Sequence, residues 1–414
     1  MGTQLMEPIW DLAIVGAGPA GASAALSALY VRPHARVLLL DRSDFPRDKA
    51  CGDGIAPHTL DVLASIGVEG IGAGYAGVER LQIGFAAGPS TNRVMARPAF
   101  VIPREVFDER LVRVAVERGA ELRQHRVRTV AVPVEDSPLV LDGTIRARVV
   151  IAADGASSVI RRQVAPPLVR ATTWRPSAPR PWGPGPPRAR STSPTTAVAI
   201  RGYAPVRTGG AGKQEIVFAS PVGSGRTSWP AYAWSFPIGD GRANIGYGEL
   251  LGPGQPLTRQ HLLDRLDELL PGASADAQSW RAHLLPLSTG RPRQPDGRIL
   301  FVGDAMNLIN PFTGEGIFYA VASGVLAGRA TMRSAGPDGD PGREYRAALR
   351  RALGRHLRHT DAAAMLARSP AIVTAAVRAA DRSPGTFDDL VELGLGAGKL
   401  TPSALGEIAR ALLT

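Results

Sequence analysis

Three stretches of this 414-residue chain predict an α/β fold. Residues 12–15 and 37–40 are unbroken apolar runs, the pattern of strands covered on both faces in a parallel sheet. The Ala-rich segment between them, from residue 19 to residue 30, reads as a helix, so the chain opens strand, turn, helix, strand. From residue 196 to residue 248 the pattern changes to alternation. There TAVAIRGY, QEIVFAS, AYAWSFP and ANIGYG read as strands of an antiparallel sheet with turns between them. The last third is helical, Ala- and Arg-rich, and broken near Ser383-Pro384-Gly385. The expected architecture combines a Rossmann-like nucleotide-binding domain, an antiparallel-sheet substrate domain and a helical C-terminal region.

The turn after the first strand, Gly16-Ala17-Gly18-Pro19-Ala20-Gly21, is why a nucleotide is expected. Gly16 permits the tight turn, Gly18 lets the backbone approach a pyrophosphate, and Gly21 allows close packing of helix on strand. The helix N-terminus then presents unpaired N–H groups and a partial positive charge to the phosphates. The second strand closes on Asp41, twenty positions beyond Gly21, where a carboxylate can accept hydrogen bonds from an adenosine ribose. A Gly-rich turn alone is common. The strand before it and the acid after it favour dinucleotide binding over a purely structural turn. The fold is expected to begin at this strand.

Composition narrows the class. The length allows two domains with ample core, and the apolar and charged fractions, 44% and 21%, are those of an ordinary globular enzyme. A single cysteine, Cys51, excludes an internal disulfide and suits a reducing compartment. No basic-then-apolar leader opens the chain, and stretches such as residues 317–327 are too short to span a bilayer, so a cytoplasmic protein is expected. The net charge of +11 is concentrated: ten Lys and Arg fall between Gly155 and Gln214, with no Asp or Glu among them. Residues 165–195 within that window are Pro-, Arg- and Ser-rich without hydrophobic period, and are expected to form a solvated insert. Attraction of the insert to an anionic membrane surface or an acidic partner is the alternative; nucleic acid is not an expected partner. His356 and His359 have no other ligand types around them, so no metal is expected. The sequence sets no oligomeric state.

The remaining elements follow in order. After Asp41 a loop carries Cys51-Gly52-Asp53-Gly54, whose small residues return the chain toward the far end of the nucleotide. Residues 57–66 read as a helix closed by Gly67, and residues 78–96 as strands of a second layer. Pro103 precedes an amphipathic helix with Phe107, Leu111, Val114 and Ala115 on one face. Arg104 begins that helix, where a side chain can reach what the first strand holds; spacing alone fits a surface arginine equally. A strand over residues 149–153 ends in Asp154-Gly155, and residues 261–270 are helical. A last buried strand, residues 298–302, runs into Gly303-Asp304, a tight loop with Pro311 and Gly314, and a helix from Gly316 whose N-terminus points back at the strand ends. In AYAWSFP the two-residue period puts Tyr232, Trp234 and Phe236 on one face. They form either an aromatic sheet core or, in the preferred reading, a pocket wall for a flat or apolar ligand.

Taken together, VGAGPAG…LLLDR, AADGASSVIRR and GRILFVGDAMNLINPFTGEGI resemble the FAD-binding fold of the para-hydroxybenzoate hydroxylase type. Within it, FPRDKACGDG and Tyr232-Ala233-Trp234-Ser235-Phe236-Pro237 resemble the geranylgeranyl reductase family, with its Lys-x-Cys-Gly loop and Tyr-x-Trp-x-Phe-Pro motif. The resemblance covers residues 9–330 apart from the insert. It implies a discontinuous FAD-binding domain (1–78, 98–164 and 281–332) interleaved with a substrate domain (79–97 and 196–280), then a helical region (333–414). It implies further that Gly16, Gly18, Gly21 and Asp41, with Arg42 after it, hold the ADP half of FAD. Asp154 and Gly155 would lie near the pyrophosphate and NADPH or NADH, and Gly303 and Asp304 would meet the ribityl chain. Arg104 would reach the cofactor. Pro311, Gly314 and Gly316 would flank the flavin pyrimidine, where backbone N–H groups and the helix end stabilise the charge of the reduced ring.

The implied activity is reduction of C=C bonds in a prenyl, isoprenoid or related apolar natural-product substrate lying under Tyr232, Trp234 and Phe236. Hydride would come from reduced flavin, with NADPH or NADH as reductant. An isolated alkene also needs a proton for its other carbon. Tyr232 and Cys51 are the candidate donors, with a bound water as a third, although Cys51 also fits as a small buried residue in a tight turn. The alternative on the same scaffold is an FAD-dependent monooxygenase of a hydrophobic or aromatic substrate. A halogenase is disfavoured by the absence of a Trp-x-Trp-x-Ile-Pro segment, and a non-catalytic flavoprotein by the complete cofactor motifs.

Overall fold

The computed structural model describes residues 8–133, 137–164, 196–219, 229–251, 258–334, 336 and 339–414. Trp10–Val15 pairs in parallel with Val37–Asp41 on one side and with Ile145–Ala152 on the other, forming the centre of a seven-stranded sheet. Glu121–Gln124 extends it in parallel beyond Val37–Asp41, and Ile299–Phe301 pairs in parallel with Ile145–Ala152. Leu139–Leu141 and Val130–Ala131 add short antiparallel strands. The register sets Val15 beside Leu40 and Ala152, and Ala152 beside Phe301. The C-terminal ends of the parallel strands therefore lie side by side, where open α/β sheets hold their ligands.

The apolar runs are buried as their pattern requires: every residue of Val37–Asp41 is buried. Helix Pro19–Val31, buried from Pro19 to Leu29, packs against this sheet and against helix Ile317–Arg333. The two helices meet backbone to backbone, since a Cβ on Gly324 or Gly328 would stand 2.2 Å from the carbonyl oxygen of Ala20 or Ala24. Ser27 Oγ donates to the Val325 carbonyl across the same seam at 2.8 Å. In helix Arg104–Glu117, Phe107, Leu111 and Ala115 are buried as expected, with Val112 buried beside them and Val114 half-buried.

The second sheet has eight strands, in spatial order Gln278–Pro286, Thr196–Pro205, Arg242–Leu250, Ala231–Pro237, Lys213–Phe218, Val78–Phe85, Ser90–Val101 and Gly54–Ile55. Its neighbours are antiparallel except where Lys213–Phe218 meets Val78–Phe85 in parallel. Alternation predicted an antiparallel sheet; the parallel junction arises because these two strands are distant in the chain and no hairpin sets their direction. The boundaries drawn at 97/98 and 280/281 fall inside Ser90–Val101 and Gln278–Pro286, because period identifies a strand but not the partner that continues it.

Helices Pro341–Leu366, Pro370–Arg382, Pro384–Leu395 and Pro402–Leu413 form the C-terminal region, with the expected break at Ser383. Each begins with proline, whose missing N–H removes no helical hydrogen bond in the first turn. Asp340, Ser383 and Thr401 side chains cap three of them by accepting from the amides of Arg343, Thr386 and Ala404. Ala380 and Phe387 pack on Leu81, Met95 and Ala99 of the eight-stranded sheet. The insert expected at 165–195 lies outside the described residues. Among the described residues, no helix is long and apolar enough to cross a membrane.

Gly328→Ala should lower the melting temperature, with an overpacking cost of about 1–3 kcal/mol, because its Cβ would meet backbone rather than a movable side chain. Gly406→Ala, in a helix position with nothing within 4 Å of the added Cβ, should be neutral or stabilising. Thermal denaturation followed by circular dichroism checks both.

Candidate active site

A cavity of about 1250 Å³ opens at the ends of the parallel strands and extends along the eight-stranded sheet. Gly16, Gly18 and Asp41 line its polar end, while Gly21 lies beneath the turn. Gly16 has φ +104°, and a Cβ there would stand 2.3 Å from the Ala153 carbonyl oxygen, so both angle and space exclude a side chain. The turn brings the start of helix Pro19–Val31 to the cavity wall. No side chain caps its first amides, which leaves them as donors for an anion. A pyrophosphate fits this cradle.

Asp41 Oδ2 accepts from the Ala17 amide at 2.9 Å and Oδ1 from the Ser43 amide at 3.0 Å. Each oxygen keeps a lone pair for a ribose hydroxyl. Arg42 follows, exposed at the cavity rim. Arg47, which the sequence reading passed over, stands 3.6 Å from Asp41 and 3.4 Å from Asp108. It lies over Gly18, where a Cβ would approach its Nη2 to 3.3 Å.

Arg104 lines the cavity but is buried, and its Nε and Nη2 both bond Asp108 at 2.7 Å. Arg104, expected at the cofactor, thus lines the cavity while holding a bidentate ion pair on its own helix, and Arg47 is a second, more accessible cation near the turn. Asp154 Oδ2 accepts from the Val159 amide at 2.6 Å, capping a short helix, Val159–Val164. Its Oδ1 is buried without a partner, an acceptor that a polar ligand in the cavity would satisfy. Gly155 lines the cavity beside it. Gly303 does not line it; with φ +54°, its N–H donates to Ser323 Oγ at 2.9 Å. Asp304, which does line it, stands 3.5 Å from Lys49 Nζ, on the same loop as Cys51.

Phe218, Tyr232, Trp234 and Phe236 form a ladder along the cavity wall, with successive ring centroids 6.3, 6.0 and 6.5 Å apart. Trp234 packs on Gly246, where a Cβ would come within 2.2 Å of its ring. Its Nε1 donates to Asn244 Oδ1 at 2.8 Å. Asn244 Nδ2 in turn donates to the Cys51 carbonyl and to Asp53 Oδ2, both at 2.8 Å, and the Tyr203 hydroxyl donates to the same Oδ2 at 2.6 Å. The latch holds the Cys51 loop against the ladder. Neither Asn244 nor Asp53 carried a sequence signal beyond the small-residue turn that contains Asp53.

Pro311, Gly314 and Gly316 line the cavity on a loop that meets the ladder at Tyr232. Asn310 Nδ2 donates to the Leu393 carbonyl at 3.0 Å and Thr313 Oγ1 to the Gly394 carbonyl at 2.9 Å, so the C-terminal helices hold this loop in place. The Tyr232 hydroxyl donates to the Thr313 carbonyl. Burial, helped by the Glu315 charge, pushes the tyrosine up to about 12. Burial also raises the Cys51 thiol, against the pull of Arg104. Glu315, between the two glycines, was not singled out from sequence. Its Oε1 accepts from the Phe318 amide at 2.8 Å, so a carboxyl already meets the positive end of helix Ile317–Arg333 that was expected to serve a ligand. Beyond the ladder the cavity continues between Leu81, Ile83 and Ile216 of the sheet and Val377, Leu390 and Val391 of the C-terminal helices.

Burial raises Asp53 to about 6, although Tyr203 and Asn244 bond its carboxylate. A carboxyl raised on folding contributes stability that is full below its ordinary range and fades as pH rises through 6. The stability difference between wild type and Asp53→Asn should therefore shift in favour of the variant from pH 4 to pH 7, as read by urea denaturation at several pH values.

The FAD binding domain family matches residues 10–174. A menaquinone reductase of Mycolicibacterium smegmatis is 30% identical over 338 residues, covering 77% of this chain and 75% of its own. Digeranylgeranylglycerophospholipid reductase 2 of Methanopyrus kandleri is 29% identical over 357 residues, 78% of this chain and 77% of its own. Among solved structures, a geranylgeranyl bacteriochlorophyll reductase-like protein of Thermoplasma acidophilum superposes with a TM-score of 0.70 at 20% identity, over 98% of this chain and 96% of that one, a likeness of fold. Sequence identity sustained over three quarters of both chains, joined to a turn that accommodates a pyrophosphate, makes the assignment: the chain belongs to the geranylgeranyl reductase family of FAD-dependent oxidoreductases.

Proposed function

We propose that this protein saturates C=C bonds in a long apolar chain of isoprenoid type. The observation that carries the reading is the continuity of one cavity from the amide cradle, past the aromatic ladder, into an apolar branch between the sheet and the C-terminal helices. A polar cofactor and a greasy chain would share that space end to end. Relatives named as reductases of a quinone and of a geranylgeranyl-bearing glycerophospholipid support it.

In this reading the Gly16–Gly21 turn and Asp41 hold the ADP half of FAD, and Asp154 Oδ1 and Asp304 hold polar groups further along. FAD, when bound, supplies a ring that takes up two electrons and passes them on as hydride. Tyr232, Trp234 and Phe236 lay the substrate chain flat, and the branch beyond them excludes water from the bond to be reduced. NADPH or NADH is the proposed reductant, with Asp154 and Gly155 at its approach. Peripheral contact with an anionic membrane, as the source of so apolar a substrate, belongs to the same proposal.

Asp41→Ala should weaken FAD binding by about 1–3 kcal/mol, the loss of charge-assisted hydrogen bonds, as measured by fluorescence titration. Under anaerobic conditions the reduced enzyme should add two hydrogens per double bond to a polyprenyl lipid, seen by mass spectrometry. Trp234→Ala should impair that turnover while leaving FAD content near wild type. A product that instead gains oxygen, in an oxygen-dependent reaction, replaces the reductase with the monooxygenase.

A further inference from the structure

We propose that Glu315 is the acid that protonates the substrate, an inference that rests on the reductase reading above. Saturating an alkene consumes one hydride and one proton. The hydride, supplied by the reduced cofactor, forms one C–H bond. The π bond breaks, and its electron pair takes the carboxyl proton of Glu315 to form the other. The carboxylate left behind is reprotonated from water. The apolar branch leaves few groups that could supply this proton.

Position selects Glu315 among them. It lines the cavity on the loop that faces the aromatic ladder. The residues on either side bracket it: a Cβ on Gly314 would stand 3.3 Å from the Tyr232 hydroxyl, and one on Gly316 3.9 Å from Asp304 Oδ1. The loop that carries Glu315 therefore runs from the aromatic wall to the polar end of the cavity. The hydrogen bond from the Phe318 amide to Oε1 fixes its orientation.

The two side-chain donors suggested by sequence are worse acids. The Tyr232 proton is held by the Thr313 carbonyl, and its acidity is depressed to about 12. Cys51 is likewise raised by burial, and its sulfur accepts from the Asp53 amide at 3.4 Å. Burial pushes Glu315 up to about 7, while the Phe318 and Ile317 amides and the Arg104 charge pull it back only in part. A general acid works best when it is still protonated near the working pH yet gives the proton up readily, and Glu315 alone of the three meets both conditions. The charged and titratable groups facing it are Cys51 from its loop, Arg104 from its helix, Tyr232 from the ladder and Tyr319 from the next turn. His58 packs its ring edge on Phe318 at 6.2 Å and pairs with Glu392 instead.

Glu315→Gln keeps an acceptor for the Phe318 amide and removes the proton. In the FAD-loaded variant, flavin content and the rate of flavin reduction should match wild type. Single-turnover saturation of a geranylgeranyl-bearing lipid in detergent micelles should fall at least about a hundredfold. In the wild-type-minus-variant infrared difference spectrum of the oxidised holoenzyme, the C=O stretch of a protonated carboxyl should be present below pH 7 and fade above it, while the Asp53 carboxyl contributes equally to both proteins and cancels. Should the variant fail to bind FAD, the wild-type single-turnover rate decides, since it must fall as pH rises through 7. Unchanged saturation by Glu315→Gln, no carboxyl band in the difference spectrum, or a rate flat from pH 6 to 9 each overturns the assignment while leaving the reductase intact. A wild type that saturates no apolar alkene at all overturns the reductase reading, and the role of Glu315 with it.

Discussion

Helix Pro19–Val31 is buried from its first residue to Leu29, yet no side chain caps its N-terminus. Backbone N–H groups left unpaired inside a protein cost about 1–3 kcal/mol each, so this end of the helix is stable only where an acceptor can reach it. The surrounding packing brings the amides to the cavity wall. Gly16 folds the strand end back against Ala153, Gly21 presses the helix onto that turn, and Gly324 and Gly328 let helix Ile317–Arg333 close from behind. Each of these contacts is backbone on backbone, and a methyl group at any of them would push the amides out of line. The polar end of the cavity depends on that absence of side chains.

A second constraint operates at the other end. Asp53, fully buried, draws together Tyr203, Asn244 and, through Asn244, Trp234 and the Cys51 carbonyl. Placing a carboxylate there costs desolvation, which is why its affinity for a proton rises. In return the Cys51 loop, which belongs to the first part of the chain, is held on a strand nearly two hundred residues later. Lys49 on the same loop reaches Asp304 beyond the last parallel strand. One loop thus ties the strand ends of the first sheet to the aromatic face of the second.

The C-terminal helices act on the site from outside both sheets. Their apolar faces wall the far branch of the cavity, and the backbone carbonyls of Leu393 and Gly394 receive Asn310 and Thr313 from the loop that carries Glu315. His356 adds a buried contact in the same region, bonding Tyr319 of helix Ile317–Arg333 and the Gly398 carbonyl. The far branch of the cavity and the Glu315 loop therefore share one support, so displacement of these helices would disturb both.

Local pattern was enough to read much of this chain. The apolar runs 12–15 and 37–40, the glycines at fixed spacing and the closing Asp41 specify a strand–turn–helix–strand unit, because each requirement is met within a few residues of sequence. The two-residue period that put Tyr232, Trp234 and Phe236 on one face is likewise a local property of extended chain, and all three do line one cavity. What pairs across the fold was not legible. That Arg104 would pair with Asp108 while lining the cavity, and that Arg47 would stand close by, depended on which charges the fold brought within reach. The parallel junction between Lys213–Phe218 and Val78–Phe85, the Asp53–Asn244 latch and the proton affinity of Glu315 all arise from neighbours far away in sequence. Hydrophobic period and backbone conformation are written residue by residue; burial, desolvation and ion pairing exist only once distant segments have met, and those were decided by the tertiary structure.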